Sequence, residues 1–283
     1  MSIPRRLRGA WPLVYGLCAV APRVWPVFLA YLIAVLTIIL ASLAALGALR
    51  AMHPDVPDTE LLGGVLGLIA GGFASSTALV LTVALVSQPF EPAALRLVPG
   101  RETGVDLAAA VLGMLSLGQV LDSATMLAGL GRVGSMPAIR QALTGIGGAE
   151  LFGAVLVLGL MAGAAEEVFF RGYMQTRLRL VWRAGPAIAV SSAAFALLHM
   201  EWIHAAMAFV LGLYLGVVTE RAGSALPAIV CHVANNSVFT VATAIAGTVD
   251  DRGINVLLLA ASLVVFLACG AFLLRRLPRA VTP

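Results

Sequence analysis

Two adjacent carboxylates and an arginine stand near the end of a long apolar stretch, at Glu166, Glu167 and Arg171. A charged side chain at the centre of a bilayer costs roughly 2.5–3.5 kcal/mol on insertion scales, so such groups usually face the protein interior and have a function. On a helix, Glu167 and Arg171 are four residues apart and can form an ion pair on one face. Glu166 lies about 100° further round the helix, toward a different neighbour. We therefore expect Glu166 to be the carboxylate that is free for chemistry.

Three more polar side chains interrupt apolar sequence further along the chain. His199 closes the stretch that begins at Phe195, and His232 and Asn236 are four residues apart, so they share one helix face. Together with Glu166, they come from three predicted membrane segments, and each is costly to leave unpaired in lipid. One water-filled cavity would satisfy all four, and we predict that they share one.

These residue types are suited to the hydrolysis of an amide. A carboxylate beside an imidazole can hold and deprotonate a water molecule. A second imidazole and a carboxamide can donate hydrogen bonds to a developing oxyanion. Serine and cysteine nucleophiles are disfavoured, because no G-x-S-x-G motif occurs and Cys231 diverges by about 100° from its neighbour His232 on a helix.

Metal binding is the competing use of the same side chains. Glu166, His199 and His232 could ligate zinc with a water in the fourth position. The H-E-x-x-H motif of many zinc proteases is absent, however. We expect that no cofactor is required, and a divalent metal such as zinc stays open as an alternative.

Two further polar residues have simpler interpretations. Asp122, with Gln119 three residues before it, lies inside a predicted membrane segment, where it could be a structural polar contact or part of an ion path. His204 lies at the start of another segment, where an interfacial histidine is the commoner case. Neither residue is assigned to the site.

The composition indicates an integral membrane protein. Hydrophobic residues make up 60% of the 283 residues and charged residues 11%, whereas soluble domains carry about 25% charged residues. The apolar stretches are long enough to cross a bilayer as helices, and they lack the alternation of a membrane β-barrel. We predict an all-α polytopic bundle, and we interpret the net charge of +4 as a topology signal and not as a nucleic-acid footprint.

Eight membrane segments are predicted, at 27–49, 62–88, 105–130, 151–170, 186–200, 203–219, 225–246 and 254–274. All 18 basic residues are arginine, and with a cytoplasmic N-terminus fourteen of them fall on the inner side. Both termini and the Glu166 end of the fourth segment are therefore expected in the cytoplasm.

The predicted domain organisation is simple. Residues 1–25 form a cytoplasmic or interfacial N-terminal segment, and residues 26–283 form a single membrane domain with its catalytic core at about 150–246. Small-xxx-small ridges, which allow helices to approach closely in lipid, are expected on the second and sixth segments, at Gly63, Gly67 and Gly71 and at Gly212 and Gly216.

Three motifs together resemble one protein family. The stretch from Glu166 to Arg171 resembles the E-E-x-x-x-R motif of the CAAX protease and bacteriocin-processing family, the intramembrane endopeptidases related to the Ras-converting type II CAAX prenyl protease. Residues 195–199 are similar to its F-x-x-x-H motif and residues 232–236 to its H-x-x-x-N motif. The motifs occur in the family's order and cover about 164–240.

The resemblance implies a role for each matching residue. Glu166 would be the general base that activates water, and His199 would help to hold that water. His232 and Asn236 would stabilise the oxyanion, and the second glutamate and the arginine of the first motif would support the site. Members have been called metalloproteases, but the mechanism implied is a glutamate-activated water without a required metal.

The sequence therefore predicts an intramembrane endopeptidase that cleaves membrane-embedded or lipid-modified, CAAX-like peptides in the plasma membrane of a bacterium. Two alternatives remain at this point. One is a non-enzymatic scaffold or immunity-type factor on the same fold. The other is a transporter, for which Asp122 would be the best support.

Overall fold

A computed structural model of the chain describes residues 23–277, and all regular structure in that range is helical, with no strand. The predicted fold class is thus confirmed. Most of the N-terminal segment predicted at 1–25 lies outside the described residues, as does the end of the chain after residue 277. The division into these two parts, and the cytoplasmic placement of both termini, stay predictions.

Ten helices make up the described part of the chain, besides two short 3₁₀ turns at Pro92–Leu95 and Leu130–Arg132. In chain order they are α1 (Trp25–Met52), α2 (Asp58–Gly63), α3 (Val65–Val86), α4 (Gly104–Leu127), α5 (Met136–Leu143), α6 (Gly148–Leu178), α7 (Ala184–Leu197), α8 (Trp202–Ala222), α9 (Leu226–Ala246) and α10 (Arg252–Arg276).

Seven of these helices are long and apolar enough to cross a membrane, not eight. The exception is α7, where the segment predicted at 186–200 forms a helix of 14 residues. A span usually needs about 20 residues. The other predicted segments each correspond to one long helix, apart from a break at the start of the second.

The second predicted segment, 62–88, is divided between α2 and α3. Gly64 has an extended backbone (ψ 173°) and separates the two helices. A Cβ added at Gly63 or Gly71 would meet no neighbour within 4 Å, and one at Gly67 would collide with the carbonyls of the preceding turn. The ridge predicted here is therefore wrong: these glycines accompany a kink and do not form a helix contact.

Helix α6 carries both glutamates and is not a regular α-helix. Two π-helical stretches, Val155–Met161 and Val168–Gln175, flank the α-helical turn Ala162–Glu167. Such wide turns are rare and are frequent at functional sites. The helix also continues past the predicted end at residue 170 to Leu178.

Hydrogen bonds of constant spacing fix α6 against α8. Three donors on α6 reach acceptors 41 residues later: Arg171 Nη2 to the Gly212 carbonyl (2.9 Å), Gln175 Nε2 to the Gly216 carbonyl (3.1 Å) and Arg179 Nε to Glu220 Oε2 (3.0 Å). Donor and acceptor advance by four residues together, so the two helices run parallel. A Cβ at Gly212 would lie 3.0 Å from Arg171 Nη2, so the close contact predicted for this glycine ridge is confirmed.

The main apolar core lies behind the polar face of α6. Phe169, Phe170 and Met174 are fully buried there and pack with Phe195 of α7. On the other side of the bundle, α10 packs on α4, where Met114 and Leu273 share a smaller cluster. The cores thus hold α6, α7 and α9 around the site.

Candidate active site

His232 of α9 lies between the two adjacent glutamates of α6. Its Nδ1 is 2.8 Å from Glu167 Oε1, and its Nε2 is 3.6 Å from Glu166 Oε2. The expectation that the two glutamates face different neighbours is therefore wrong. Their side chains do diverge on the helix, but the nitrogens lie on different edges of one imidazole, so one ring can face both.

A close helix crossing brings this imidazole to α6. A Cβ added at Gly163 would lie 2.9 Å from the backbone nitrogen of Val233. Only a residue without a side chain allows the backbones to come this near. Gly163 therefore sets the distance between the glutamates and His232.

Glu167 is held in the interior by two cationic or polar partners. Arg171 Nη1 donates to Glu167 Oε1 at 2.8 Å, the same oxygen that His232 approaches, and both side chains of this expected ion pair are fully buried. Among the described residues Glu167 Oε2 has no hydrogen-bond partner. The Arg171 guanidinium also lies over the Phe195 ring, 4.9 Å from its centroid. Glu167 is thus a fixed, buried group with little access to a substrate.

The hydrogen bond to Glu167 defines the state of the His232 ring. An ionised carboxylate only accepts hydrogen bonds, so Nδ1 of His232 carries the proton that it donates. Nε2 is left facing Glu166 and the open space beside it. It accepts a hydrogen bond when His232 is neutral and donates one when His232 is an imidazolium.

Glu166 has a different environment from Glu167. Its side chain is 20% exposed, and within residues 23–277 no group donates a hydrogen bond to it. It faces a cavity of about 450 Å³ inside the bundle. The polar wall near Glu166 is formed by His199, His204, His232, Asn235 and Asn236. The structure therefore brings all four predicted residues to one cavity.

His199 and Phe195 form the side of the cavity contributed by α7. Nδ1 of His199 is 3.1 Å from the Phe195 carbonyl, which accepts its proton and leaves Nε2 as an acceptor. The Phe195 ring contacts the ring of His199 (5.0 Å between centroids) and that of His232 (5.6 Å). Phe195, which entered the sequence analysis only as the first residue of a motif, thus supports both imidazoles.

Asn236 joins α9 to α6. Its Nδ2 donates to the Leu158 carbonyl at 3.2 Å, in the first π-helical stretch. A carboxamide nitrogen has two hydrogens, so one donor remains for a ligand in the cavity. The π-helical stretch was not expected from the sequence.

His204 contributes to the cavity although we expected it to be interfacial. Its ring centroid is 4.3 Å from that of His199 across the turn between α7 and α8. Glu201 fixes this turn by accepting hydrogen bonds from the backbone nitrogens of Ile203 (2.8 Å) and His204 (3.0 Å). These bonds hold the pKa of Glu201 below its usual range. A carboxylate one residue before a helix was the available signal, since it is a common N-cap.

Asp122 is paired with Arg140 at the far end of the same cavity. The Arg140 side chain is only 8% exposed, although the sequence placed it in an outer loop. It is buried because α5 folds in between the spans with Met136, Arg140 and Leu143 on its inner face. Of the two interpretations of Asp122, the geometry favours the structural contact.

The predicted side chains do not form a metal site. In the described part of the chain, no group of three or more His, Cys, Asp or Glu residues is arranged to hold a metal ion. Nδ1 of His232 and Nδ1 of His199 are both engaged, with Glu167 and with the Phe195 carbonyl. Glu166, His199 and His232 therefore do not fit the zinc alternative, and no step below uses a metal.

One family model matches the chain, over residues 148–238, and is described as Type II CAAX prenyl endopeptidase Rce1-like. The match runs from the start of α6 into α9 and contains all three sequence motifs. The predicted family resemblance is thus confirmed for this part of the chain. No curated protein and no solved structure matches the chain.

Proposed function

We propose, since residues 148–238 belong to the type II CAAX prenyl endopeptidase family, that this membrane protein is an intramembrane endopeptidase that uses water activated by Glu166. The observation that carries the proposal is the contrast between two neighbours. Glu167 is fully buried in an ion pair, whereas Glu166 opens into the cavity beside His232. A general base needs this access to water and substrate.

In the first step, Glu166 would take a proton from a water molecule. The water oxygen then forms a bond to the carbonyl carbon of the peptide, and the electron pair of the C=O double bond moves to the oxygen. The free Nε2 of His199 can accept the second water hydrogen and so orient the nucleophile.

The resulting oxyanion would be stabilised by Nε2–H of His232 and by the second Nδ2–H of Asn236. Because Nδ1 of His232 already donates to Glu167, donation by Nε2 requires the imidazolium. With Arg171, the site would then balance two carboxylates against two cations. Fixed donors in a water-poor cavity are an effective way to stabilise a developing charge.

In the last step, the oxyanion re-forms the C=O bond and the C–N bond breaks. The nitrogen keeps the electron pair of that bond and takes the proton that Glu166 received. The products are a carboxylic acid and an amine, and Glu166 returns to its ionised state. Glu167 and Arg171 contribute by keeping the His232 ring in place.

The substrate would be a membrane-embedded or lipid-modified, CAAX-like peptide. The cavity lies within a bundle of membrane-length helices, and most of its wall is apolar, for example Leu68, Leu115 and Leu211. Apolar peptide segments or lipid chains gain by entering such a site. We place the Glu166 end toward the cytoplasm because of the arginine distribution.

A comparison of membrane proteomes tests the proposal. Cells producing the wild type should show new peptide termini, detected by terminal-peptide mass spectrometry, that are absent with Glu166→Ala or Glu166→Gln at equal protein abundance. Loss of a general base lowers rates by about 10²–10⁴-fold. Glu150→Gln is the matched control, since Glu150 is exposed at the start of the same helix. Identical termini with Glu166→Gln and wild type would instead favour a scaffold.

A further inference from the structure

The cavity contains a second charged group that the proposed hydrolysis does not use. Arg140 and Asp122 line it together with Glu166, His199 and His232. One continuous space therefore joins the proposed catalytic residues to a buried guanidinium.

Arg140 is held in a position that suits an anionic ligand. Asp122 Oδ1 accepts from Nη2 of Arg140, and the guanidinium lies over the Phe239 ring, 5.4 Å from its centroid. Within the described residues, Nε of Arg140 is buried without a hydrogen-bond partner. A guanidinium has five N–H donors in a planar fork, so the pair with Asp122 leaves donors unused.

The distance between the two sites can be estimated along α9. His232 and Phe239 both line the cavity and are seven residues apart on that helix. At about 1.5 Å per residue, the rise between them is roughly 10 Å. An extended peptide advances about 3.3 Å per residue, so about three residues span the same length.

We infer that Arg140 binds the terminal carboxylate of the substrate, so that the protein selects peptides that end about three residues beyond the cleaved bond. The inference rests on the proposed function and adds a specificity-determining residue to it. Arginine binds carboxylates with two parallel hydrogen bonds, which fixes position as well as charge. Asp122 keeps the guanidinium in place before the substrate enters.

Binding of matched peptides tests this inference without requiring cleavage. The probes are two dansyl-labelled apolar hexapeptides that differ only in a terminal carboxylate or carboxamide. Binding to the full chain carrying Glu166→Gln is measured in neutral detergent. The acid should bind at least about tenfold more tightly than the amide, as expected for a charge-assisted hydrogen bond. Arg140→Gln should reduce this ratio to about one.

Two further variants control for charge and folding. Asp122→Asn/Arg140→Gln removes both charges, so no carboxylate is left unpaired in the interior, and it should also abolish the preference. Arg132→Gln is the matched control, because Arg132 is 82% exposed and does not line the cavity; it should keep the preference. Equal binding of acid and amide by the parent protein, or a preference that survives both Arg140 variants, would overturn the inference.

Cleavage and lipid arms separate the remaining explanations. If the acid is preferred through Arg140 but the Glu166-containing protein cleaves neither peptide, the proposed function fails and the carboxylate site stands. If phosphatidylglycerol at low mole fraction abolishes the preference where phosphatidylcholine does not, Arg140 holds a lipid phosphate and the peptide assignment is wrong. Persistence of the preference in phosphatidylglycerol supports the peptide carboxylate.

Discussion

Adjacent residues of the same type have different environments at this site. Glu167 accepts hydrogen bonds from Arg171 and His232 and is fully buried, while Glu166 is 20% exposed to the cavity. The sequence could predict this division, because the i,i+4 spacing pairs only one glutamate with the arginine. It could not predict that His232 lies between both, since that depends on how closely α6 and α9 cross.

The buried pair of Glu167 and Arg171 should be important for stability. Arg171→Met leaves Glu167 without its guanidinium, and breaking a buried ion pair in this way costs about 3–5 kcal/mol. Glu167→Gln/Arg171→Met should lose less than the sum of the two single variants, because neither then leaves a charge behind. The measurement is reversible unfolding in mixed micelles.

A control for this prediction is available on the surface. Arg50 and Asp58 form an ion pair in which both side chains are about half exposed. Exposed pairs contribute little to stability, so Arg50→Met should unfold like the wild type. Equal effects of Arg50→Met and Arg171→Met would contradict the role assigned to the buried pair.

Helix contacts position the chemistry at the next scale. The positions of the long helices and the glycine ridge of α8 could be predicted, because apolar length and small-residue spacing are local properties of the sequence. The π-helical stretches of α6, the shortness of α7 and the burial of Arg140 on α5 could not. Each depends on a tertiary contact, such as the hydrogen bond from Asn236 to the Leu158 carbonyl.

Gly163 provides the sharpest test at this scale. Gly163→Ala places a Cβ 2.9 Å from the Val233 backbone nitrogen, so α9 must move away from α6. Overpacking of this kind costs about 1–3 kcal/mol, and the shift should also separate His232 from Glu167. We expect lower stability together with a loss of peptide cleavage, measured on the same preparation.

Gly71→Ala is the matched control on α3. A Cβ at Gly71 meets no neighbour within 4 Å. Because alanine favours a helix over glycine by about 1 kcal/mol, this change should leave cleavage intact and stability equal or higher. If both substitutions behave alike, the helix crossing does not control the site.

The whole molecule is a membrane bundle around one polar cavity. The composition predicts the membrane class, and the cost of unpaired polar groups in lipid predicts that they converge. The second charged pair in the cavity was not predicted, because Asp122 and Arg140 are brought together only when α5 folds inward. The family match covers residues 148–238 and does not include either of them.

The orientation in the membrane can be measured directly. Arg183 and Asp250 are both exposed and lie in connections that the arginine distribution places on opposite sides. In a cysteine-free background, Arg183→Cys should react with an impermeant maleimide only in inside-out vesicles, and Asp250→Cys only in right-side-out vesicles. The reverse pattern would place the Glu166 end of α6 outside the cell.

The central claim is that Glu166 activates the water that cleaves the peptide. The most direct measurement compares purified wild type and Glu166→Gln in chelator-treated proteoliposomes, with an apolar lipidated peptide as substrate. We predict cleavage by the wild type without added metal and a loss of at least about 100-fold in the variant. Equal rates for the two proteins, or wild-type cleavage that appears only when a metal is restored, would contradict the account.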